Sequence, residues 1–459
     1  MKKILTILTT AICLVPASVF AQNADNLTAH LQPYGFFRTY AAFDTRESKA
    51  GSEDLFYYMP YDKTNNAEGK DVYSNPAFRF YAITSRLGLN VKGYQFGSMS
   101  VSGKIETDFY LMNGSTASLR LRQAYMNLFW EDVNCSGNSI NLKIGQAWHP
   151  MAADLPYAIN LESGTPFNAF ARSPQIMMDA NVENLVFTAG ILYPMQYRPT
   201  GPQGASEDYI KYSAGSLSPM QYRPTGPQGA SEDYIKYSLV PETYVGVSYV
   251  SKKFLARVGT DFISLVPRYK LTEDTQNHYK GTKADDRINM FNPFVYLQYA
   301  DGLFKINAKS IFANGGDHLR MMSGYALYDT SDELDYKYTP LRNSSSFVSA
   351  SYGKKWQAMC MVGYIKALGT QHELLVNKDG YSSASNIYYA ANGFKNMNQM
   401  FRVTPTLAYN IGKLTFALEY DYTKVEYGDL NKLNDHGLAN KNKHWVENHR
   451  VLGMAKLTF

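Results

Sequence analysis

The sequence ends on residues 446–459, VENHRVLGMAKLTF, which close with an aromatic side chain. Successive side chains of an extended strand point to opposite sides. Polar residues such as Asn448 and Arg450 therefore fall on one side of this stretch, and apolar residues such as Val451 and Leu457 fall on the other. We predict that this stretch is the last strand of a β-barrel and that it pairs with the first strand to close the barrel.

The same alternation recurs along the chain. It is clearest in residues 98–112, where Lys104, Glu106 and Asp108 alternate with Ile105 and Phe109. Short turns and long polar loops alternate between such segments, which is typical of transmembrane barrels. We predict sixteen strands, at residues 33–44, 77–92, 98–112, 118–131, 139–149, 175–181, 183–193, 242–251, 252–267, 287–300, 303–313, 345–353, 355–367, 399–411, 414–427 and 446–459. A soluble β-sandwich or β-helix would show the same alternation in any single strand.

The amino terminus predicts export. Lys2 and Lys3 precede an apolar run and the cleavage pattern Val19-Phe20-Ala21, which together indicate a secretory signal peptide over residues 1–21. We expect a short periplasmic leader at 22–32 and a single barrel domain at 33–459. Beyond the signal, no apolar run of about 18 residues is available for a membrane-spanning helix. In a membrane, a sheet has to close on itself because lipid offers no hydrogen-bond partners.

Composition agrees with short half-apolar strands and aromatic girdles, since the 459 residues include 37 Tyr and 24 Phe. Removing Lys2 and Lys3 lowers the formal charge from +5 to +3. This balance is too small to indicate a nucleic acid as partner. Charged residues in the strands have to point inward, because an Arg or Lys facing the lipid midplane costs about 2–4 kcal/mol. Alternation therefore predicts a barrel whose charged interior holds water.

These features resemble a known family, the sixteen-stranded trimeric porins of Gram-negative outer membranes, and among them the phosphate-selective and DcaP-like branch. The resemblance covers nearly the whole chain after the signal. It depends on the order of strands and loops, on the terminal Phe459, and on the segment IGQAW at 144–148 before an irregular stretch. Two features depart from the family: no helical extension fits before Pro33, and Ala455 stands where many members have an aromatic residue.

The resemblance implies a constriction. In such porins the loop after the fifth strand folds into the barrel, and the matching stretch here is 150–174, with Asp154, Glu162 and Arg172. A basic wall stands opposite that loop in the family, and the early strands offer Arg38, Arg86, Lys104, Arg120, Arg122 and Lys143. Such a pair of walls would create a transverse field and tune ion preference. The loop could instead cap the barrel from outside, and the basic residues could be ordinary charges of the interior or rim.

The sequence also carries a tandem duplication. Residues 189–213 recur as 214–238, and only two positions differ: Ile191 and Tyr193 become Ser216 and Ser218. The first copy keeps the apolar residues that a strand end needs, so we interpret the second copy as added loop. Such a loop could act as a lid or a subunit latch, although an exposed loop also tolerates extra length at small cost.

The sequence thus indicates an outer-membrane porin that passes small hydrophilic solutes and ions by diffusion and assembles as a homotrimer in contact with outer-membrane lipid. Two alternatives stay open, a barrel-anchored surface receptor or adhesin and an outer-membrane hydrolase. For a hydrolase the candidates are isolated: His149 stands alone at a strand end, and the S-x-x-K pattern of Ser351 to Lys354 sits at a turn. We therefore predict no catalytic set, no cofactor and no metal site.

Overall fold

The structure is a computed structural model that describes residues 30–52, 55–113, 116–133, 137–159, 164–197, 201–202, 231, 233–268, 283–389 and 395–459. The predicted signal peptide, most of the predicted leader and Glu162 lie outside the described residues. So does most of the duplicated segment. Within the described residues, no helix is both long and apolar enough to cross a membrane.

Antiparallel strands form one closed barrel of sixteen strands within the described part of the chain. One barrel strand is divided in two, β4 and β5. The barrel strands are β1 (Leu31–Asp44), β4 (Ala77–Tyr81) with β5 (Arg86–Phe96), β6 (Met99–Asn113), β7 (Thr116–Val133), β8 (Asn138–Trp148), β9 (Arg172–Val182), β10 (Leu185–Leu192), β11 (Glu242–Val250), β12 (Phe254–Leu265), β13 (Ile288–Asp301), β14 (Phe304–Asn314), β16 (Lys337–Gly353), β17 (Trp356–Thr370), β19 (Met397–Ile411), β20 (Leu414–Tyr427) and β21 (His444–Thr458).

The remaining elements belong to the long connections. A hairpin of β2 (Ser48–Ser52) and β3 (Leu55–Pro60) follows β1, and β15 (Gly324–Asp329) pairs with both β16 and β18 (Ile387–Tyr389). A one-turn helix, α1 (Asp233–Lys236), precedes β11. These elements all lie at the end of the barrel opposite the short turns.

The barrel closes between its first and last strands, as predicted. β1 pairs with β21 over nine residue pairs, from Phe36 opposite Thr458 to Asp44 opposite Arg450. At the inner face of this seam, Arg450 forms a bidentate pair with Asp44, with Nε 2.9 Å from Oδ1 and Nη2 2.7 Å from Oδ2. Closure leaves neither terminal strand with an unpaired edge.

Strand positions agree with the alternation except at several strand ends and in the predicted strand 77–92, which residues 82–85 divide into β4 and β5. The predicted strand at 345–353 starts earlier, at Lys337, because its first residues pair with β15 in the long connection. The predicted turn at 93–97 is shorter, because β5 continues to Phe96 and only residues 97–98 turn. Gly302 and Gly412 provide the left-handed conformation that two other short turns need, with φ of 58° and 60°.

Alternation places apolar side chains outside and most charged ones inside. On β21, Val451 and Leu457 are exposed on the outer surface, whereas Asn448 and Arg450 are buried inside. The inner face also carries Leu452 and Met454, which are buried in a cluster with apolar residues of other elements: Tyr40, Ala42 and Ile159. Alternation predicted a polar interior. The structure shows that part of the inner face is apolar.

The two halves of the barrel differ inside. Inward side chains nearer the short turns, such as Lys104, Lys143 and Gln357, are only half-buried. In the half nearer the long connections, loops enter the barrel and bury apolar clusters against its wall, including Met361, Met400 and Phe347. Loops, rather than the wall's own side chains, fill that half, because a ring of sixteen strands is wider than its side chains can span.

Candidate functional site

The connection between β8 and β9 runs through the barrel interior. We call it the inward loop, residues 149–171. The Tyr157 N–H donates to Ser349 Oγ of β16 at 2.9 Å, and the Ile159 N–H donates to Glu419 Oε2 of β20 at 2.7 Å. Since β16 and β20 lie across the barrel from β8, the loop reaches the far wall. The predicted inward-folded loop is confirmed, and its strand border falls at Arg172.

Apolar contacts hold the second half of the inward loop. Phe167 is fully buried and packs against Gly363 of β17, where an added Cβ would lie 2.6 Å from the Phe167 ring. The Phe170 N–H donates to the Leu319 carbonyl at 2.8 Å, which joins the loop to the connection after β14. The absence of a side chain at Gly363 is thus what allows the aromatic ring to approach the wall.

Asp154 is the acidic residue that sequence analysis placed opposite a basic wall on the early strands. The structure instead pairs it with two later strands: Oδ1 lies 2.5 Å from Arg257 of β12, and Oδ2 lies 3.6 Å from Lys309 of β14. Its side chain is buried. The predicted opposition of Asp154 to the early arginines is therefore replaced by an ion pair that anchors the loop.

The early strands do bring basic residues together, around two acidic partners. Arg120 forms a bidentate pair with Asp108, at 2.8 and 2.7 Å. Arg122 bridges Glu106 and Asp108, at 2.8 and 2.7 Å. Arg86 lies further away, with Nη1 3.8 Å from Glu106. Charge-assisted pairs of this geometry hold planar guanidinium groups firmly in place.

Arg172, at the end of the inward loop, completes this group. Its guanidinium stacks 4.8 Å from the Trp148 ring, and Arg122 lies 5.7 Å from the same ring. Arg120 and Arg122 are close enough to repel its charge. Neither Nη1 nor Nη2 of Arg172 has a hydrogen-bond partner among the described residues. Arg172 is thus buried with two donor groups that the described part of the chain does not use.

The other predicted basic residues lie around this group. Arg38 donates from Nε to Thr84 Oγ1 at 3.0 Å and shares the Phe36 ring with Arg86, each at 4.9 Å. Lys104 lies 4.9 Å from the Tyr34 ring, and Lys143 lies 5.5 Å from the Tyr125 ring. We use the name arginine cluster for Arg38, Arg86, Arg120, Arg122 and Arg172. Three of these arginines, Arg86, Arg120 and Arg122, lie within 4 Å of the carboxylates of Glu106 or Asp108.

The partners that decide this geometry were not predicted from the sequence. Arg257 and Lys309 are inward residues of β12 and β14, so alternation along those strands was the signal that could have found them. Their pairing with Asp154 had no signal, because the residues lie 103 and 155 positions from it. The sequence indicated Trp148 only as part of a short motif. In the structure, the guanidinium groups of Arg122 and Arg172 lie 5.7 and 4.8 Å from its ring.

Comparison with solved structures identifies the architecture. The outer membrane channel DcaP of Acinetobacter baumannii aligns with a TM-score of 0.58 at 15% identity, covering 94% of this chain and 98% of that one. The fold is that of the outer-membrane porins. The outer-membrane expressed OmpT of Vibrio cholerae and the Salmonella typhi OmpF complex with daunomycin also align, with TM-scores of 0.46 and 0.45 at 12% identity; each alignment covers 94% of this chain and 97% of the other.

The porin fold is recognised through structure alone. No family model matches the sequence. A search of curated proteins likewise finds no match. The predicted resemblance to sixteen-stranded porins is confirmed at the level of fold.

Proposed function

We propose that this protein is an outer-membrane porin through which small hydrophilic solutes and ions diffuse. Three features support the proposal: a closed barrel with an apolar outer surface, charged side chains inside it, and an inward loop that narrows it. The similar DcaP structure is described as an outer membrane channel. The predicted signal peptide would direct the chain to export, and the resemblance to porins supports a homotrimer.

The pore favours anions in this proposal. Arg120 and Arg122 are paired with Glu106 and Asp108, whereas Nη1 and Nη2 of Arg172 have no hydrogen-bond partner in the described part of the chain. Fixed charge beside a narrow passage attracts ions of opposite sign and repels ions of the same sign. The observation that carries this preference is the buried guanidinium of Arg172, directly after the inward loop, whose Nη1 and Nη2 have no hydrogen-bond partner in the described part of the chain.

Conductance in a planar lipid bilayer tests the function. We expect stepwise conductance when purified full-length protein is added, and a reversal potential of the sign given by anion preference under a KCl gradient. A folded protein that never conducts would contradict the porin function and would favour a receptor or adhesin anchored by its barrel. A pore that prefers cations would agree with the porin function but contradict the proposed role of the arginine cluster.

Arg172→Gln tests the proposed selectivity residue. The change removes one positive charge without breaking an ion pair, so the barrel should stay folded while the reversal potential moves toward cations. Lys354→Gln is the matched control, because it removes the same charge from an exposed residue at a short turn between β16 and β17. Equal reversal potentials for Arg172→Gln and the wild type would remove Arg172 from the selectivity site.

A further inference from the structure

Three buried side chains from three different elements converge beside the inward loop. Glu242 is the first residue of β11, Asp261 lies on β12, and His318 lies in a 3-10 helix at Asp317–Leu319. At most 1% of each residue is exposed. One oxygen or nitrogen atom from each lies within 4.8 Å of the others. Carboxylate oxygens and imidazole nitrogens together suit divalent transition metals.

No lysine or arginine balances these carboxylates. Within the described residues, neither Glu242 nor Asp261 forms an ion pair with a lysine or arginine, and the titratable side chains that contact them are His149 and His318. Taking two carboxylates out of water is strongly unfavourable unless positive charge accompanies them. The cluster therefore needs a source of positive charge.

His149 does not provide that charge. The Met151 backbone N–H donates to His149 Nδ1 at 3.1 Å, and His149 Nε2 lies 2.8 Å from Glu242 Oε1. An imidazole nitrogen that accepts a hydrogen bond carries no proton, so the ring is neutral and its one proton is on Nε2. His149 therefore donates to Glu242 and orients it, and it is not a metal ligand.

The hydrogen bonding of the cluster is incomplete. Glu242 Oε2 and Asp261 Oδ1 are buried without a hydrogen-bond partner in the described part of the chain. His318 Nε2 lies 3.3 Å from Glu242 Oε1 and 3.2 Å from Asp261 Oδ2, and a single N–H cannot point at both oxygens. Ligand atoms about 2.0–2.1 Å from a tetrahedral metal ion are about 3.3 Å apart, which these spacings match.

We propose that Glu242, Asp261 and His318 bind a divalent transition-metal ion. Zn²⁺ suits this set of oxygen and nitrogen ligands and is the ion used to test the site. Three protein ligands leave a fourth tetrahedral position for a water molecule or for the second oxygen of a carboxylate. Asp317 Oδ1 lies 3.9 Å from His318 Nδ1, on the side of the ring away from the proposed ion. That distance is too long for a hydrogen bond, and His318 Nδ1 has no hydrogen-bond partner in the described part of the chain.

The ion would fasten both ends of the inward loop to the wall. His149, at the start of the loop, orients the ligand Glu242. Near the end of the loop, the Phe170 N–H bonds to Leu319, which follows the ligand His318. Binding of the ion does not depend on the proposed function. Its consequence for the pore, a constriction held in one position, rests on that function.

The competing occupant of the cluster is a proton. Burial alone lowers the pKa of the His318 imidazole, but the Glu242 and Asp261 carboxylates outweigh it and raise that pKa to about 10 when no ion is bound. An imidazolium would then supply one positive charge against two carboxylates. It would leave the unpartnered oxygens as they are, whereas a divalent ion would balance both charges.

Metal content after refolding tests the site. The full chain is refolded in detergent with Zn²⁺, passed over a chelating resin, and assayed for zinc by mass spectrometry. We expect about one zinc per wild-type chain, and a loss of at least about tenfold in Glu242→Gln and His318→Gln. His436→Gln is the control, because it alters a second, more exposed group, Glu373, Asp435 and His436, whose oxygen and nitrogen atoms also lie within 4.8 Å of one another. Wild-type protein without zinc, or ligand variants that retain it, would overturn the site.

A spectroscopic measurement on the wild type tests the metal site even if the ligand variants fail to fold. Refolding with Co²⁺ should give the visible absorption bands of a tetrahedral ion, and excess Zn²⁺ during refolding should abolish them. Colourless wild-type protein, or bands unchanged by Zn²⁺, would overturn the proposal. Conductance is measured separately: a conducting protein without metal contradicts only the metal site, and a silent protein that retains zinc contradicts only the porin function.

Discussion

Arg450 and Asp44 face each other at the inner side of the seam between the last and first strands, both essentially fully buried. Removing one partner of a buried ion pair leaves an uncompensated charge and costs about 3–5 kcal/mol. Asp44 keeps a second partner, Arg79 at 3.0 Å. We therefore expect Arg450→Met to destabilise the barrel by about 3 kcal/mol, at the lower end of that range, measured by denaturant unfolding in detergent.

The matched control for this pair lies at a short turn. Lys253 pairs with Asp301 at 2.8 Å, but both side chains are about half exposed. Exposed pairs contribute little because water and salt screen them. Lys253→Met should leave the unfolding midpoint unchanged. If the two variants unfold at the same denaturant concentration, the seam pair is not a special source of stability.

At the scale of elements, the position of the inward loop depends on a glycine of the barrel wall that leaves room for an aromatic ring. A Cβ at Gly363 of β17 would lie 2.6 Å from the Phe167 ring, so Gly363→Ala forces the ring or the strand to move. Overpacking of this kind costs about 1–3 kcal/mol. Since Phe167 anchors the second half of the loop, we expect a less stable barrel and a larger single-channel conductance.

Gly453→Ala provides the control for Gly363→Ala. Gly453 lies on β21, and a Cβ added there would meet no atom within 4 Å. Both changes add one methyl group to a barrel strand, but only one of them points at the loop. Unchanged conductance in Gly363→Ala would show that Phe167 does not set the width of the passage.

At the scale of the whole molecule, each copy of the duplicated segment contributes different residues to the fold. The first copy supplies the end of β10, at Leu192, together with the buried Tyr197. The second copy supplies α1, whose Tyr234 is fully buried and accepts a hydrogen bond at its carbonyl from the Val266 N–H at 2.9 Å. The interpretation of the second copy as added loop is therefore wrong for its last residues, which belong to the core.

Deletion of residues 194–218 should preserve the fold. The join restores one copy with the sequence of the first through Tyr193 and of the second from Pro219 onward. The shortened loop can close, because Gly201 already lies beside Tyr234: an added Cβ there would be 2.7 Å from its ring. Loop closure changes slowly with length, so stability should change by less than about 1 kcal/mol.

The deletion is checked by denaturant unfolding and by bilayer conductance, and both should match the wild type. A matched deletion of 25 residues, 168–192, would remove both β9 and β10 and should abolish folding. A Δ194–218 chain that fails to fold would show that the barrel requires both copies of the duplicated segment.

The alternation of polar and apolar residues was enough to predict the barrel architecture. Alternation in residues 98–112 and 446–459 depends only on neighbouring residues in an extended chain, so the sequence by itself determined the strands, their inward and outward faces and the closure of the ring. Loss of alternation also marked 150–174 as an irregular stretch after the fifth strand, but its inward folding was implied by the resemblance to porins rather than by the pattern. The longer β16 was missed, since its first residues pair with β15 in a loop rather than along the barrel.

Only the tertiary structure decided which charges meet. Asp154 binds Arg257 and Lys309 rather than the early arginines, and Glu242, Asp261 and His318 come together from positions up to 76 residues apart. Alternation determines that a side chain points inward, but not how far along the barrel axis it lies or which loop fills the space beside it. Those depend on strand register and on the path of the inward loop, and both are set by packing between distant parts of the chain.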